Sequence, residues 1–153
     1  MEMERDDFYL KVAHSLAGCQ LVEQELKLYI TEAFLLAKKC IGNQMPFKLS
    51  GDDYTNSSLE GLIKMFRKLS SNDELATALV AFKKERNFLS HNAIANCVDP
   101  DGQLSGIDDS ELLAKLKNIE TEAERLTSAL NEEANKFRGN LYFDDLDATN
   151  ENS

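Results

Sequence analysis

Residues 6–41 read DDFYLKVAHSLAGCQLVEQELKLYITEAFLLAKKCI, and their apolar spacing decides the fold. Val12, Leu16, Cys19, Val22, Leu26, Tyr29, Ala33 and Ala37 recur at steps of three and four. Such steps put the residues on one stripe of a helix with about 3.6 residues per turn. The stretch predicts a long, one-sided helix over residues 6–41, stopped by Gly42-Asn43.

The same period governs the rest of the chain, and nothing alternates like a strand. Residues 43–57 (NQMPFKLSGDDYTNS) are rich in turn formers and predict a surface loop. Ser57 or Ser58 then caps a short second helix carrying Leu59, Leu62, Ile63, Phe66 and Leu69. Asn72 or Asp73 caps a third, with Leu75, Leu79, Phe82 and Leu89. After a loop at 98–102, Asp108 or Asp109 opens a fourth helix. Its stripe of Leu112, Leu116, Ile119, Ala123, Leu126, Leu130 and Phe137 is predicted to pack on the first helix. The expected architecture is all-α, an up-and-down bundle of four to five helices with two long antiparallel members. One domain covers residues 1–139, and residues 140–153 form an acidic, flexible tail.

Composition narrows the function classes. With 153 residues, 42% of them hydrophobic, the chain suits one globular domain, and its apolar runs fall far short of a membrane span. The first residues, Met1-Glu2-Met3-Glu4-Arg5-Asp6-Asp7, are acidic where a secretory signal is basic, so a cytoplasmic location and no membrane partner are expected. Cys19, Cys40 and Cys97 lack the spacing of a zinc site and read as buried, reduced thiols. Asp52-Asp53 and Asp108-Asp109 are not spaced like a calcium loop, so no metal and no cofactor is assigned.

The net charge of -10 is unevenly spread. Residues 58–96 carry 6 Lys/Arg against 4 Asp/Glu, whereas residues 97–153 carry 5 against 14. The one net-positive segment contains Lys64, Arg67, Lys68, Lys83 and Lys84, a weak candidate track for RNA. It also contains the run Lys83-Lys84-Glu85-Arg86-Asn87-Phe88-Leu89-Ser90-His91-Asn92. There Arg86, Asn87 and His91 place a permanent cation, an amide and an imidazole within about one and a half helical turns. Arg grips a phosphate with two parallel hydrogen bonds, and His exchanges a proton near neutrality. On a straight helix Arg86 and His91 diverge by about 140°, so a shared phosphate demands the long Arg side chain or an irregular helix end.

The hexapeptide Arg86-Asn87-Phe88-Leu89-Ser90-His91 resembles the signature of the HEPN superfamily (higher eukaryotes and prokaryotes nucleotide-binding). In that signature four to six residues lie between the Arg and the His, as four do here, and a polar residue commonly follows the Arg. Ser58-Leu59-Glu60-Gly61-Leu62-Ile63-Lys64-Met65-Phe66 is similar to the short helix before the motif-bearing helix of many members. The resemblance spans most of residues 6–138. It implies a HEPN-like helical domain that cleaves RNA without a metal, with Arg86, Asn87 and His91 as the catalytic set. It also implies a homodimer, and a toxin or phage-defence role with an antitoxin or other regulatory partner. One protomer supplies a single His in this cluster, so acid and base together need two copies. Some members carry a Tyr two residues after the His as a modification site; here that position is Ala93.

Plainer readings stand beside these. Arg86 and His91 also fit the solvated face of an ordinary helix, and a non-catalytic HEPN-like module binding a nucleotide or a protein is the alternative function. His14, beside Val12 and Leu16, reads as a structural, partly buried residue.

Overall fold

The computed structural model describes residues 5–93 and 109–143. Among them every regular element is helical: α1 (Arg5–Ile41), a 3₁₀ turn (Gly51–Tyr54), α2 (Leu59–Leu69), α3 (Asp73–Phe88), a π-helical turn (Leu89–Ala93) that continues α3, and α4 (Asp109–Tyr142). The all-helical bundle expected from the sequence is the fold observed.

The helix ends follow local chemistry. Gly42, at φ +60, closes α1 and returns its N–H to the Lys38 carbonyl at 3.0 Å. Ser58 caps α2 by accepting from Gly61 N at 3.2 Å, and Asn72 caps α3 by accepting from Leu75 N at 3.0 Å. Asp53 completes a capping box with Ser50 at the 3₁₀ turn, a structural use of that carboxylate. The expected loop at 98–102 lies outside the described residues.

The α1 stripe is buried as expected at Val12, Cys19, Val22, Leu26 and Tyr29, with Leu16 and Ala33 half-buried, and Phe8, Ile30 and Phe34 widen it. It meets Leu62, Ile63 and Phe66 of α2, Leu79 and Phe82 of α3, and Leu116, Ile119, Leu126 and Leu130 of α4 in one core. The Tyr29 ring stands edge-on to both Phe66 and Phe137, with centroids 5.0 and 5.3 Å away, and so joins α1 to α2 and α4.

The relative direction of the long helices corrects the sequence reading: α1 and α4 run parallel. Ser15 Oγ donates to the Leu116 carbonyl at 3.0 Å, Gly18 faces Ala123, Glu32 pairs with Arg138, and Lys39 Nζ donates to the Asn140 carbonyl at 2.9 Å. Residue numbers rise together along both helices. The reason is the length of α2. Eleven residues span about 16 Å, far less than the roughly 55 Å of the 37-residue α1, so α2 is not a full member of an up-and-down bundle. The chain first doubles back beside α1, where Phe47 and Tyr54 pack on Phe34. It then makes its return run in α3 alone: Asn72 starts beside Glu133, and Phe88 ends beside Lys115. One return run leaves the long helices pointing the same way.

Helix α4 also outlasts Gly139, where the tail was expected to begin. Asn140, Leu141 and Tyr142 remain helical. The Lys39 ammonium holds the carbonyls of Asn140 and Leu141, and Tyr142 donates to Glu32 Oε2 at 3.0 Å. Residues 144–153 lie outside the described residues.

Two substitutions test this packing. Leu26→Ala removes a fully buried side chain and is expected to cost about 2–5 kcal/mol. A Cβ built on Gly18 already stands 3.0 Å from Ala123 Cβ, so Gly18→Val is expected to cost about 1–3 kcal/mol by overpacking. Urea unfolding followed by circular dichroism checks both.

Candidate functional site

The candidate site grows from the carboxyl end of α3. Leu79, Phe82 and Leu89 are buried and bind one face of the helix to the core, which turns Lys84 and Asn87 outward and leaves Lys83 and Arg86 half-buried. Past Phe88 the backbone widens into the π turn over Leu89–Ala93. Leu89 is fully buried and fastens this turn to the core, whereas His91 is exposed. A π turn adds a residue to the helical repeat and reduces the angle between positions five apart. It is the irregular helix end that a shared Arg86–His91 target demands.

Arg86 does not stand free. Its Nη2 pairs with Glu23 Oε1 of α1 at 3.3 Å, with 37% and 21% of the two side chains exposed. The pair is open to water on one side, so it contributes little to stability. It does fix where the guanidinium points, because Glu23 lies on the better-buried side. Lys115 of α4 places its ammonium 4.1 Å from the centroid of the Phe88 ring, a cation–π contact that adds positive charge beside the end of α3.

The end of α3 thus makes two separate contacts, Arg86 with Glu23 of α1 and Phe88 with Lys115 of α4, on different sides of the helix. Sequence reasoning missed Glu23 and Lys115. Each lies dozens of residues from the motif, and no local spacing signals either one. The weaker track is less concentrated. Lys64, Arg67 and Lys68 are exposed on α2, and Lys64 lies 3.8 Å from Glu60 on its own helix. Lys83 sits three and four residues before Arg86 and Asn87, so it shares their side of α3.

Beneath the site lies Cys19, 2% exposed. Burial pushes its thiol up from 9.0 to about 11; the nearby Arg86 charge pulls it down, and Glu23 pushes it up. Cys19 is therefore an inert thiol at neutral pH. The expectation of buried thiols holds for Cys19 and fails for Cys40, which is exposed because it lies in the last turn of α1, beyond Phe34, the last buried residue of that helix; Cys97 lies outside the described residues. His14 is also exposed, contrary to its reading as partly buried, and lines a groove between α1 and α4. Small neighbours, Ala17, Gly18 and Ala123, leave that groove open.

No described helix is long and apolar enough to cross a membrane. Comparison with protein-family models, with curated proteins and with solved structures gives no match.

The raised Cys19 thiol makes stability depend on pH. Between pH 9 and about 11 the unfolded chain loses this proton while the folded chain keeps it, so its contribution is intact below 9 and falls as pH rises. By pH 10 the loss is about 1.4 kcal/mol. Urea unfolding at pH 7 and pH 10 should show a drop smaller by about this amount in Cys19→Ala than in the native chain.

Proposed function

We propose that this chain is a metal-independent endoribonuclease of HEPN type, acting in the cytoplasm as a toxin or phage-defence effector. The observation that carries the reading is the placement of Arg86 and His91 on one helix end. Arg86 is oriented by Glu23, His91 is open to solvent, and a π turn lies in the backbone that joins them.

In this reading the RNA 2′-hydroxyl attacks the adjacent phosphorus. A base removes the hydroxyl proton, the P–O5′ bond breaks, and an acid protonates the departing 5′ oxygen, leaving a cyclic phosphate and a 5′-hydroxyl. His91 from each protomer of a two-fold dimer supplies base and acid. The two Arg86 side chains stabilise the charge that builds on the phosphorane, Lys115 adds local positive potential, and Asn87 orients the phosphate. Lys83 and Lys84, with Lys64, Arg67 and Lys68 farther off, give salt-sensitive attraction for the RNA backbone. An antitoxin or other regulatory protein would act by covering this surface.

One observation favours the alternative, a non-catalytic HEPN-like module that binds a nucleotide or a protein. The Arg86 charge already has a carboxylate partner within its own chain. A phosphate must then compete with Glu23, and a purely structural Arg–Glu pair needs no substrate.

RNA cleavage in the presence of EDTA separates the two. His91→Ala is expected to lower the rate by about two to four orders of magnitude, since it removes proton transfer. Arg86→Lys keeps the charge but loses the planar fork and should slow cleavage while RNA still binds. Asn87→Ala should be milder than either. Circular dichroism of all three should match the native chain, because none of the side chains is buried. Cleavage by His91→Ala at the native rate would remove the catalytic claim.

A further inference from the structure

The outer face of α1 carries a second pattern that the bundle does not use. From Asp7 to Lys38, positions at alternating steps of three and four form an unbroken heptad seam whose apolar members are Leu10, Ala17, Leu21, Leu28 and Leu35. The four leucines are between 43% and 55% exposed. His14 and Gln24 of the seam are exposed as well, and only Thr31 is half-covered, where Gly51 lies against it. A charged helix face facing water explains none of this; four leucines in heptad register do not arise from solvation.

We propose that this seam is the interface with a second copy of the chain, two α1 helices packing antiparallel about a two-fold axis. Charge complementarity sets the direction. The first turn of α1 carries Asp6 and Asp7, and its last turn carries Lys38 and Lys39. In the antiparallel register Asp7 meets Lys38 of the second copy at each end of the seam. A parallel pair would set Asp7 on Asp7, His14 on His14 and Lys38 on Lys38. Size complementarity agrees with the charges. Leu10 faces Leu35, Ala17 faces Leu28, and Leu21 faces Gln24, so every leucine of the seam meets an uncharged side chain and the smallest seam residue takes a leucine.

The surface beside the seam is shaped for those knobs. Ala17 and Leu21 border the groove of about 390 Å³ between α1 and α4, where Leu28 of the second copy would seat. Leu35 and Lys38 border a cleft of about 150 Å³ closed by Phe47 and Leu49, where its Leu10 would seat. Leu49 is itself 54% exposed and becomes covered in the pair. The interface is isologous, so every contact occurs twice and the assembly closes. It uses none of the residues of the ribonuclease reading.

Light scattering and sedimentation at micromolar concentration test the proposal. Leu21→Glu puts a charge in an exposed position of the folded monomer and at the centre of the seam. It is expected to halve the mass of the native particle while helicity is retained. Asp7→Lys and Lys38→Asp should each weaken association roughly three- to tenfold, and the double exchange should restore it. Equal mass for the native chain and Leu21→Glu would overturn the interface. Failure of the double exchange to recover would overturn the antiparallel register. Because no ribonuclease residue is altered, either result stands apart from the outcome of the RNA assay.

Discussion

Close approach of α1 and α4 along a parallel seam is the constraint on which the remaining structure depends. Gly18 and Ala123 let the two backbones near each other, and the side chains around that point, Cys19, Val22, Ile119 and Leu126, close into a core with almost no exposure. Polar contacts then fix the register from end to end. Ser15, fully buried, spends its hydroxyl on the Leu116 carbonyl. Glu32, 3% exposed, accepts from both Arg138 Nε and Nη2 and from the Tyr142 hydroxyl, so a buried charge is fully partnered. A slip of one turn between the helices would leave these groups buried and unpaired, at a cost well above any single apolar contact.

The site inherits its geometry from that seam. Because α1 and α4 are parallel, α3 must run back between their two levels, and it is anchored at its start by a second buried carboxylate. Glu133 accepts from Ser70 Oγ at 3.2 Å and Asn72 Nδ2 at 3.0 Å, and pairs with Lys136 at 2.8 Å. Burial raises its pKa, but the bonds from Lys136, Asn72 and Ser70 outweigh burial and hold it below the usual carboxylate value. With its start fixed there, α3 delivers Arg86 beside Glu23 and Phe88 beside Lys115 sixteen residues or so later. The π turn then carries His91 clear of the core that Leu89 fills. A basic site on a chain of net charge -10 thus becomes possible through placement, since the acidic last third supplies Lys115 to the site as well as its carboxylates elsewhere.

The first helix carries two apolar stripes on opposite sides, one buried in the bundle and one exposed. Its buried stripe reads Phe8, Val12, Cys19, Val22, Leu26, Tyr29, and the heptad seam of leucines lies across the helix from it. This explains why the amphipathic contrast of α1 is muted although one face is wholly buried. Serine and glutamate stand inside, and leucines stand outside. A helix of this kind separates the proposed interface between copies from the surface where α3 presents its cations, so the two proposed contacts need not compete.

Periodicity determined the helices and their core, because burial of an apolar stripe is written in local spacing and needs no knowledge of the partner. Caps at Ser58 and Asn72 and the stop at Gly42 were legible for the same reason: each depends on groups three or four residues away. The Arg86, Asn87 and His91 cluster was legible as chemistry. Tertiary structure alone decided the direction of α4, since that follows from how many full-length runs the chain makes and not from any residue's preference. It alone extended α4 past Gly139, through contacts of Lys39 and Glu32 that lie a hundred residues away. It alone supplied Glu23 and Lys115 to the site, and it alone left His14 and Cys40 outside the core. Those outcomes rest on contacts between distant segments, which local sequence pattern does not encode.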